Sequence, residues 1–381
     1  MAKKTNFETN GNKYFRVTLT IGYDENGKQK QKTFYGKTKK EAEIKKQEYL
    51  DNLNNGISND NKHFITTFSD WLNNVLYITV KPNTFSRYDG IFRNYISKSK
   101  FKYMNLKDIT SMEIQKYYNE LYLTKSENQV INLNKLLNKF FNYCVKEDYI
   151  LKNPCMNVVL KKSNRKSIDP EDIFTFEEIK IMKESEDCLC KFLGLLCIGT
   201  GLRRGEALGL KWSDIDYNNR LINIQRTLVS YSKVIDSNTR KKVTETTTPK
   251  TESSIRSIPL NDNLIDLFLE IKEFFNIRKI KAGEYYNNEY DGMIFLNKVG
   301  NLIEPSNLTK EWYKYLESIN LRKRRFHSTR HSYITIQYEL GTKPLTISRL
   351  AGHSNTSTTE KIYTHLSNNE KDKAKDIFKH I

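Results

Sequence analysis

The chain has 381 residues, with 63 Lys+Arg against 45 Asp+Glu and a formal net charge of +18 at pH 7. That length fits two or three domains of about 100–200 residues, and 38% hydrophobic with 28% charged residues exclude a collagen-like or disordered chain. So large a cationic excess repels itself unless a polyanion offsets it, which leaves nucleic acid and anionic membrane as the classes of large partner.

The membrane class is disfavoured. The longest apolar run, Leu193 to Gly199, falls far short of the ~20 residues that span a bilayer. Lys3 and Lys4 are followed by no apolar segment, so the N-terminus does not read as a signal peptide. The five cysteines form no CxxC framework, and Cys188, Cys190 and Cys197 flank an apolar stretch in which packing is the expected role. A reducing, cytoplasmic setting is expected.

In chain order, Tyr14 to Ile21 and Lys30 to Tyr35 alternate as strands about the turn Asp24-Glu25-Asn26-Gly27. Thr38 and Glu41 form a capping box for a helix over 39–53. The many lysines of this small unit suit a sheet laid against a DNA groove. The polar stretch 54–61 is a linker.

The next hundred residues are helical. Phe68, Trp71, Leu72, Val75 and Leu76 form one apolar stripe on a helix expected to be capped near Thr67. Pro82 opens a second helix with Tyr88, Ile91, Phe92 and Tyr95. A third follows Thr110-Ser111, and a fourth carries Leu133, Leu136, Leu137, Phe140, Phe141 and Cys144. Lys81, Arg87, Arg93, Lys98, Lys100 and Lys102 lie on or beside the second helix, a cationic surface suited to a duplex backbone.

A basic linker over 161–170 leads to a mixed region from about Phe174. Leu221 to Ile224 and Ser254 to Leu260 read as strands of a small sheet, separated by a long Thr- and Lys-rich hairpin or loop. Thr200-Gly201-Leu202-Arg203-Arg204-Gly205-Glu206 places an arginine in a Gly-flanked turn after an apolar helix. His327-Ser328-Thr329-Arg330-His331 begins a helix ending near Gly341, so that His327 and Arg330, at i and i+3, share a face. His353 stands just past a helix end in Leu350-Ala351-Gly352-His353. Ser357 to Glu360 is a capping box for a final helix bearing Tyr363.

At these residues the chain resembles the tyrosine recombinase (phage integrase) family. Arg203, Lys250, His327 with Arg330, His353 and Tyr363 occur in the order of the family's motifs. The resemblance extends to residues 67–72, 106–110 and Asn153-Pro154, which look like the family's core-binding domain. The N-terminal unit is similar to the arm-binding domains of integrases from conjugative transposons and phages of Gram-positive bacteria. The implied fold is multidomain and mainly α with small β-sheets. It comprises an arm-type DNA-binding domain over 1–58 (a three-stranded sheet plus helix), a helical core-binding bundle over 63–160, and a mixed α/β catalytic domain over 172–381.

The chemistry of these residue types agrees with the resemblance. A phosphodiester transition state gathers negative charge on non-bridging oxygens, and the planar forks of Arg203 and Arg330 match that geometry. Losing one such preorganised donor typically costs about 2.7–4 kcal/mol of barrier. A phenol ionises near pH ~10, so Tyr363 needs a base and a cationic field. His327 is the candidate base and His353 a phosphate hydrogen-bond donor. The resemblance implies a 3′-phosphotyrosyl intermediate with a free 5′-hydroxyl, and Lys250 as the general acid that protonates the leaving oxygen. Lys241 and Lys242 compete for the lysine role, but Pro249-Lys250-Thr251 fits the family hairpin best. Glu206 is read as a structural partner of backbone or arginine.

His327 and His331 at i, i+4 lack the glutamate of a zinc-protease helix, Ser328 standing in its place. No cofactor or metal is expected. The run Arg322-Lys323-Arg324-Arg325 is expected to meet DNA phosphates. Candidate DNA contacts are Arg16, Lys81, Arg87, Lys100, Arg165, Arg204 and Arg325.

The expected partners are double-stranded DNA, at core and arm sites, and a homotetramer in a synaptic complex. An accessory excision or host DNA-bending protein belongs to the same expectation, as does association with the bacterial nucleoid. The tail over 371–381 offers Ile377 and Phe378 to dock on a neighbour. The rival readings are a type IB topoisomerase-like relaxation enzyme and a non-catalytic, sequence-specific DNA-binding regulator.

Overall fold

A computed structural model describes residues 7–9, 12–23, 28–54, 62–162, 172–236, 239–248 and 254–352. The chain forms two compact units, residues 1–164 and 165–381. Among the described residues no helix is long and apolar enough to cross a membrane.

The first unit opens with β1 (Phe7–Thr9), β2 (Asn12–Tyr23) and β3 (Gln29–Gly36), an antiparallel sheet in the order β1-β2-β3. Helix α1 (Lys39–Asn54) packs on β2 and β3, burying Phe34 and Ala42. Glu41 N–H donates to Thr38 Oγ1 at 3.1 Å, but the Glu41 carboxylate accepts from Lys37 N–H, one residue before the position a capping box requires. Lys32 lies over the Tyr49 ring of α1, and the register brings Arg16, Thr18 and Thr20 opposite Tyr35, Thr33 and Gln31 on the other face. The Phe7 ring meets Arg16 and Tyr35 on that face.

The helical part runs through α2 (Phe64–Asp70), a π-helical turn over Trp71–Leu76 and the short α3 (Tyr77–Thr79). It continues with α4 (Pro82–Asn94), α5 (Ser111–Leu121) and α6 (Glu127–Lys146). The first helix starts a turn earlier than expected. His63 is its N-cap, and Thr67 lies inside, its hydroxyl donating to the His63 carbonyl at 2.8 Å. The reason is Phe64, four residues before Phe68 on the same face and fully buried. Phe64, Phe68, Trp71, Phe101, Phe140 and Phe141 form the aromatic centre of the bundle. Thr110 caps α5 and Ser126 caps α6, as their residue types favour. Asn153 ties the following turn to α6 by donating to the side chains of Asn138 and Asn142, both at 2.6 Å.

The second unit is built round α8 (Leu189–Thr200), which packs against α7 (Phe176–Glu184), α10 (Asp262–Ala282), α11 (Pro305–Ser318) and α12 (Ser328–Glu339). A helix apolar on nearly all sides is stable only when enclosed, and most of α8 is buried. Cys190 and Cys197 belong to its core, while Cys188 is its N-cap and accepts Lys191 N–H at 3.4 Å. The five cysteines are free thiols.

Helix α9 (Arg204–Leu208) follows α8. Then β4 (Ile215–Asp216) and β5 (Leu221–Ile224) join β8 (Arg256–Pro259) in an antiparallel sheet ordered β4-β5-β8. The intervening segment is a hairpin of β6 (Thr227–Val234) and β7 (Arg240–Thr247). Helix α13 (Pro344–Ala351) packs on α12 and β8.

Arg324 corrects the expectation for the basic run that contains it. Its side chain is 7% exposed, donates to Glu178 Oε1 at 2.8 Å and lies over the Phe174 ring. Trp312 Nε1–H also donates to its carbonyl, so this residue joins α7 and α11 instead of facing a partner.

Candidate active site

Three of the six expected catalytic residues, Arg203, His327 and Arg330, lie among the described residues and are brought together by local chain geometry. Helix α8 ends at Gly201, whose φ of +68° is the left-handed conformation of a helix C-cap. A Cβ at Gly201 would stand 2.3 Å from the Tyr333 ring, so α12 can approach only because the side chain is hydrogen. That approach lets Arg330 Nη1 donate to the Gly201 carbonyl at 2.7 Å. Arg203 follows two residues later as N-cap of α9, and His327 is the N-cap of α12.

Glu206 is the hub. Its buried carboxylate accepts from Arg203 Nη1 at 2.7 Å, from Arg203 N–H at 3.0 Å and from Arg256 Nη2 at 2.9 Å. Burial alone would push this carboxyl up, but the hydrogen bond and charge of Arg256, then those of Arg203, hold it below its ordinary value. Its expected structural role is observed. Arg203 Nη2 also donates to the Gly352 carbonyl at 2.6 Å, at the last turn before His353.

Two guanidiniums thus share one carboxylate, and with Arg330 close by the site keeps a net positive charge. Arg330 is 2% exposed, and its buried Nη2 has no hydrogen-bond partner among the described residues. Burial, and then repulsion from Arg203, lower its pKa to about 9. An anion delivered to Nη2 would relieve both penalties.

His327 is exposed at its outer edge and meets His331 in a T-shaped ring contact with centroids 4.8 Å apart. Burial, then His331, Arg330, Arg203 and Arg325, hold its imidazole below the ordinary range, so it is neutral at pH 7 and one ring nitrogen is open to accept a proton. Burial, then Arg330 and Arg325, lower His331 as well. Its buried Nδ1 lacks a partner among the described residues.

Lys250, His353 and Tyr363 lie outside the described residues, as do Arg165, the capping box at 357–360 and the tail at 371–381. Lys242, a competitor for the lysine role, is ion-paired with Glu304. Of the expected DNA contacts, Arg16 is exposed and lies over the Phe7 ring, and Arg87 is exposed over Tyr88. Lys81 is an exposed N-cap, and Lys100 pairs with Glu120 at 2.5 Å. Arg325 is 80% exposed, 3.8 Å from Asp172. Arg204 has an internal role. It is half-buried and donates to Pro305 O and Thr309 Oγ1, tying α9 to the first turn of α11.

Arg256 is a site residue not among the sequence candidates, although strand alternation pointed to it. Arg256 is two residues from Ile258 and four from Leu260, so it shares their inward face, where a cation needs a carboxylate.

The model of the phage integrase family matches residues 171–370, and that of the phage integrase N-terminal SAM-like domain matches residues 64–122. A tyrosine recombinase XerC-like protein of Caldanaerobacter subterraneus subsp. tengcongensis is 43% identical over 98% of both chains. The chain belongs to the phage integrase family. Solved integrase structures share the fold. The Tn1549 transposon integrase in complex with a circular intermediate DNA has a TM-score of 0.62 at 19% identity, over 78% of this chain and 93% of that one. The lambda integrase tetramer bound to a Holliday junction has a TM-score of 0.57 at 18% identity, over 94% and 97% respectively. Membership gives the arginine–histidine cluster its context: it belongs to a tyrosine-type site-specific recombinase.

Proposed function

We propose that this chain cuts and rejoins double-stranded DNA as the integrase of a mobile element, through a 3′-phosphotyrosyl intermediate on Tyr363. The supporting observation is the buried Nη2 of Arg330, without a hydrogen-bond partner among the described residues, beside Arg203 and His327 in a net-positive site. A scissile phosphate bound there has its non-bridging oxygens on the two guanidiniums, which stabilise the charge that grows as phosphorus becomes five-coordinate. Neutral His327 accepts a proton, His353 donates to a phosphate oxygen, and Lys250 protonates the departing 5′-oxygen. Bond energy is kept in the phosphotyrosine, and a 5′-hydroxyl from a partner strand reverses the reaction.

In this reading residues 1–58 bind arm sites, with Arg16, Thr18, Thr20, Gln31, Thr33 and Tyr35 facing a groove. Residues 63–160 bind core sites through Lys81, Arg87 and Lys100. Residues 172–381 carry catalysis, with Arg165 and Arg325 on flanking phosphates. Four copies assemble for strand exchange, as the lambda integrase does on a Holliday junction.

A duplex taken from the DNA flanking the gene, nicked beside the cleavage position, tests this. The wild-type chain is expected to become covalently attached and Tyr363→Phe to bind without attachment. Equal attachment by both chains overturns the nucleophile. Sequence-independent relaxation of plasmids would favour a topoisomerase, and binding without cleavage a regulator.

A further inference from the structure

We propose that Arg256 is a positioning residue for DNA strand cleavage, fixing the Glu206–Arg203 pair against the C-terminal turn of α13. The inference rests on the recombinase reading above and concerns a residue that never touches the phosphate. Arg256 Nε donates to the Leu350 carbonyl at 2.5 Å, Nη2 to Glu206 Oε2 at 2.9 Å and Nη1 to the Ser254 carbonyl at 3.2 Å. Arg203 Nη2 holds the Gly352 carbonyl two residues further on. Two guanidiniums that share one carboxylate therefore grip two carbonyls of the same helix end, and His353 is the next residue in the chain.

The geometry is specific to arginine and to its neighbours. Three donors pointing in fixed directions engage a carboxylate and two separate carbonyls, which one ammonium on a flexible stem cannot reproduce. Gly352 adopts φ +68°, and a Cβ there would come within 2.9 Å of Arg256 Nη1, so the helix end is shaped to the guanidinium. Without Arg256, Glu206 keeps only Arg203 as hydrogen-bonding partner among the described residues, and the carboxylate pulls Arg203 toward itself. A shift of about 1 Å in a catalytic group costs on the order of 10²-fold in rate.

Glu206 is faced by Arg203 on α9, Arg256 on β8, Arg330 on α12 and the thiol of Cys197 on α8. Removing the Arg256 charge lets burial raise the Glu206 carboxyl, so a variant should lose activity as pH falls in a range where wild type holds it.

The test uses the full-length chain and the nicked flanking duplex, measuring equilibrium binding, the rate of covalent attachment across pH, and melting. Arg256→Met is expected to bind with wild-type affinity and attach about 10²-fold more slowly, with an added acid limb. Arg256→Lys should recover part of the rate, because an ammonium can still pair with Glu206. Adding Glu206→Gln to Arg256→Met should cost less than Glu206→Gln costs alone, as coupled partners require. Attachment by Arg256→Met at the wild-type rate and pH profile overturns the proposal. Loss of binding and melting together, without recovery in Arg256→Lys, reduces Arg256 to a folding residue and also overturns it. If Arg256→Met does not fold, Arg256→Lys decides: slowed attachment at unchanged binding and melting supports positioning, and a wild-type rate rejects it. A wild-type chain that never attaches overturns the recombinase reading itself, and the proposal with it.

Discussion

His327 and His331 stand one turn apart beside two arginines, and their burial among these charges sets how this part of the protein responds to acid. For both, burial is the first cause that keeps the folded-state pKa below its ordinary value. The sign follows directly. As pH falls through about 6.5 the unfolded chain takes up protons that the folded chain refuses, so stability is lost from there downward. In the protein without DNA, the His327 resonance followed by NMR is expected to titrate below the ordinary ~6.5. A midpoint at or above that value would contradict the cationic environment described for it. His331→Asn should lessen the fall in melting temperature between about pH 7 and 5, because one of the two refused protons is gone.

Among the elements, α2 and α8 show how burial fixes position. Phe64, at the start of α2, touches Phe68, Phe101, Phe140 and Phe141, so it joins three stretches far apart in sequence. Phe64→Ala is expected to cost about 3–5 kcal/mol, the range for losing a fully buried phenylalanine and leaving a cavity. Denaturant unfolding of the isolated variant checks this, and a cost close to zero would show that the stripe does not begin at Phe64. In the second unit α8 plays the corresponding part. Its enclosed position delivers Gly201 and Arg203 to α12, linking core packing directly to the geometry of the proposed phosphate site.

At the scale of the whole molecule, the excess of 18 positive charges governs association with DNA. Each phosphate neutralised by a cation releases counterions, so log affinity falls with log salt at a slope near −0.9 per contact. Lys81→Ala and Arg87→Ala are each expected to reduce that slope by about one and to weaken binding evenly across sequences. Arg204→Ala and Arg324→Ala are expected to leave the slope unchanged and to lower stability instead, since those side chains are bound internally to Thr309 and Glu178. Salt titrations of binding by the four variants separate the two groups. A slope change on removing Arg324 would mean that this side chain leaves Glu178 to meet phosphate.

Periodic patterns and turn chemistry act through neighbours in the chain, and these were legible. The apolar stripes gave helices α4 and α6, Thr110-Ser111 marked the start of α5, and β5 and β8 are legible as strands. The ordered motifs, together with the positive charge, identified the chemistry, because Arg203, His327 and Arg330 each occupy a helix start or a glycine-bounded turn that sequence can signal. What a cationic side chain does once the chain folds was not legible in the same way. Arg204 and Arg324 look like any other arginine in a basic protein, and Arg256 is set apart only by its place in a strand's alternation, yet each is drawn inside by a carboxylate or carbonyl distant in sequence. Arg256 meets Glu206 fifty residues away and Leu350 ninety-four away. Local pattern determined the elements and the residue types of the site. Only tertiary packing decided which charges were withdrawn from water to hold one another, because the partner that offsets the cost of burying a charge arrives from elsewhere in the fold.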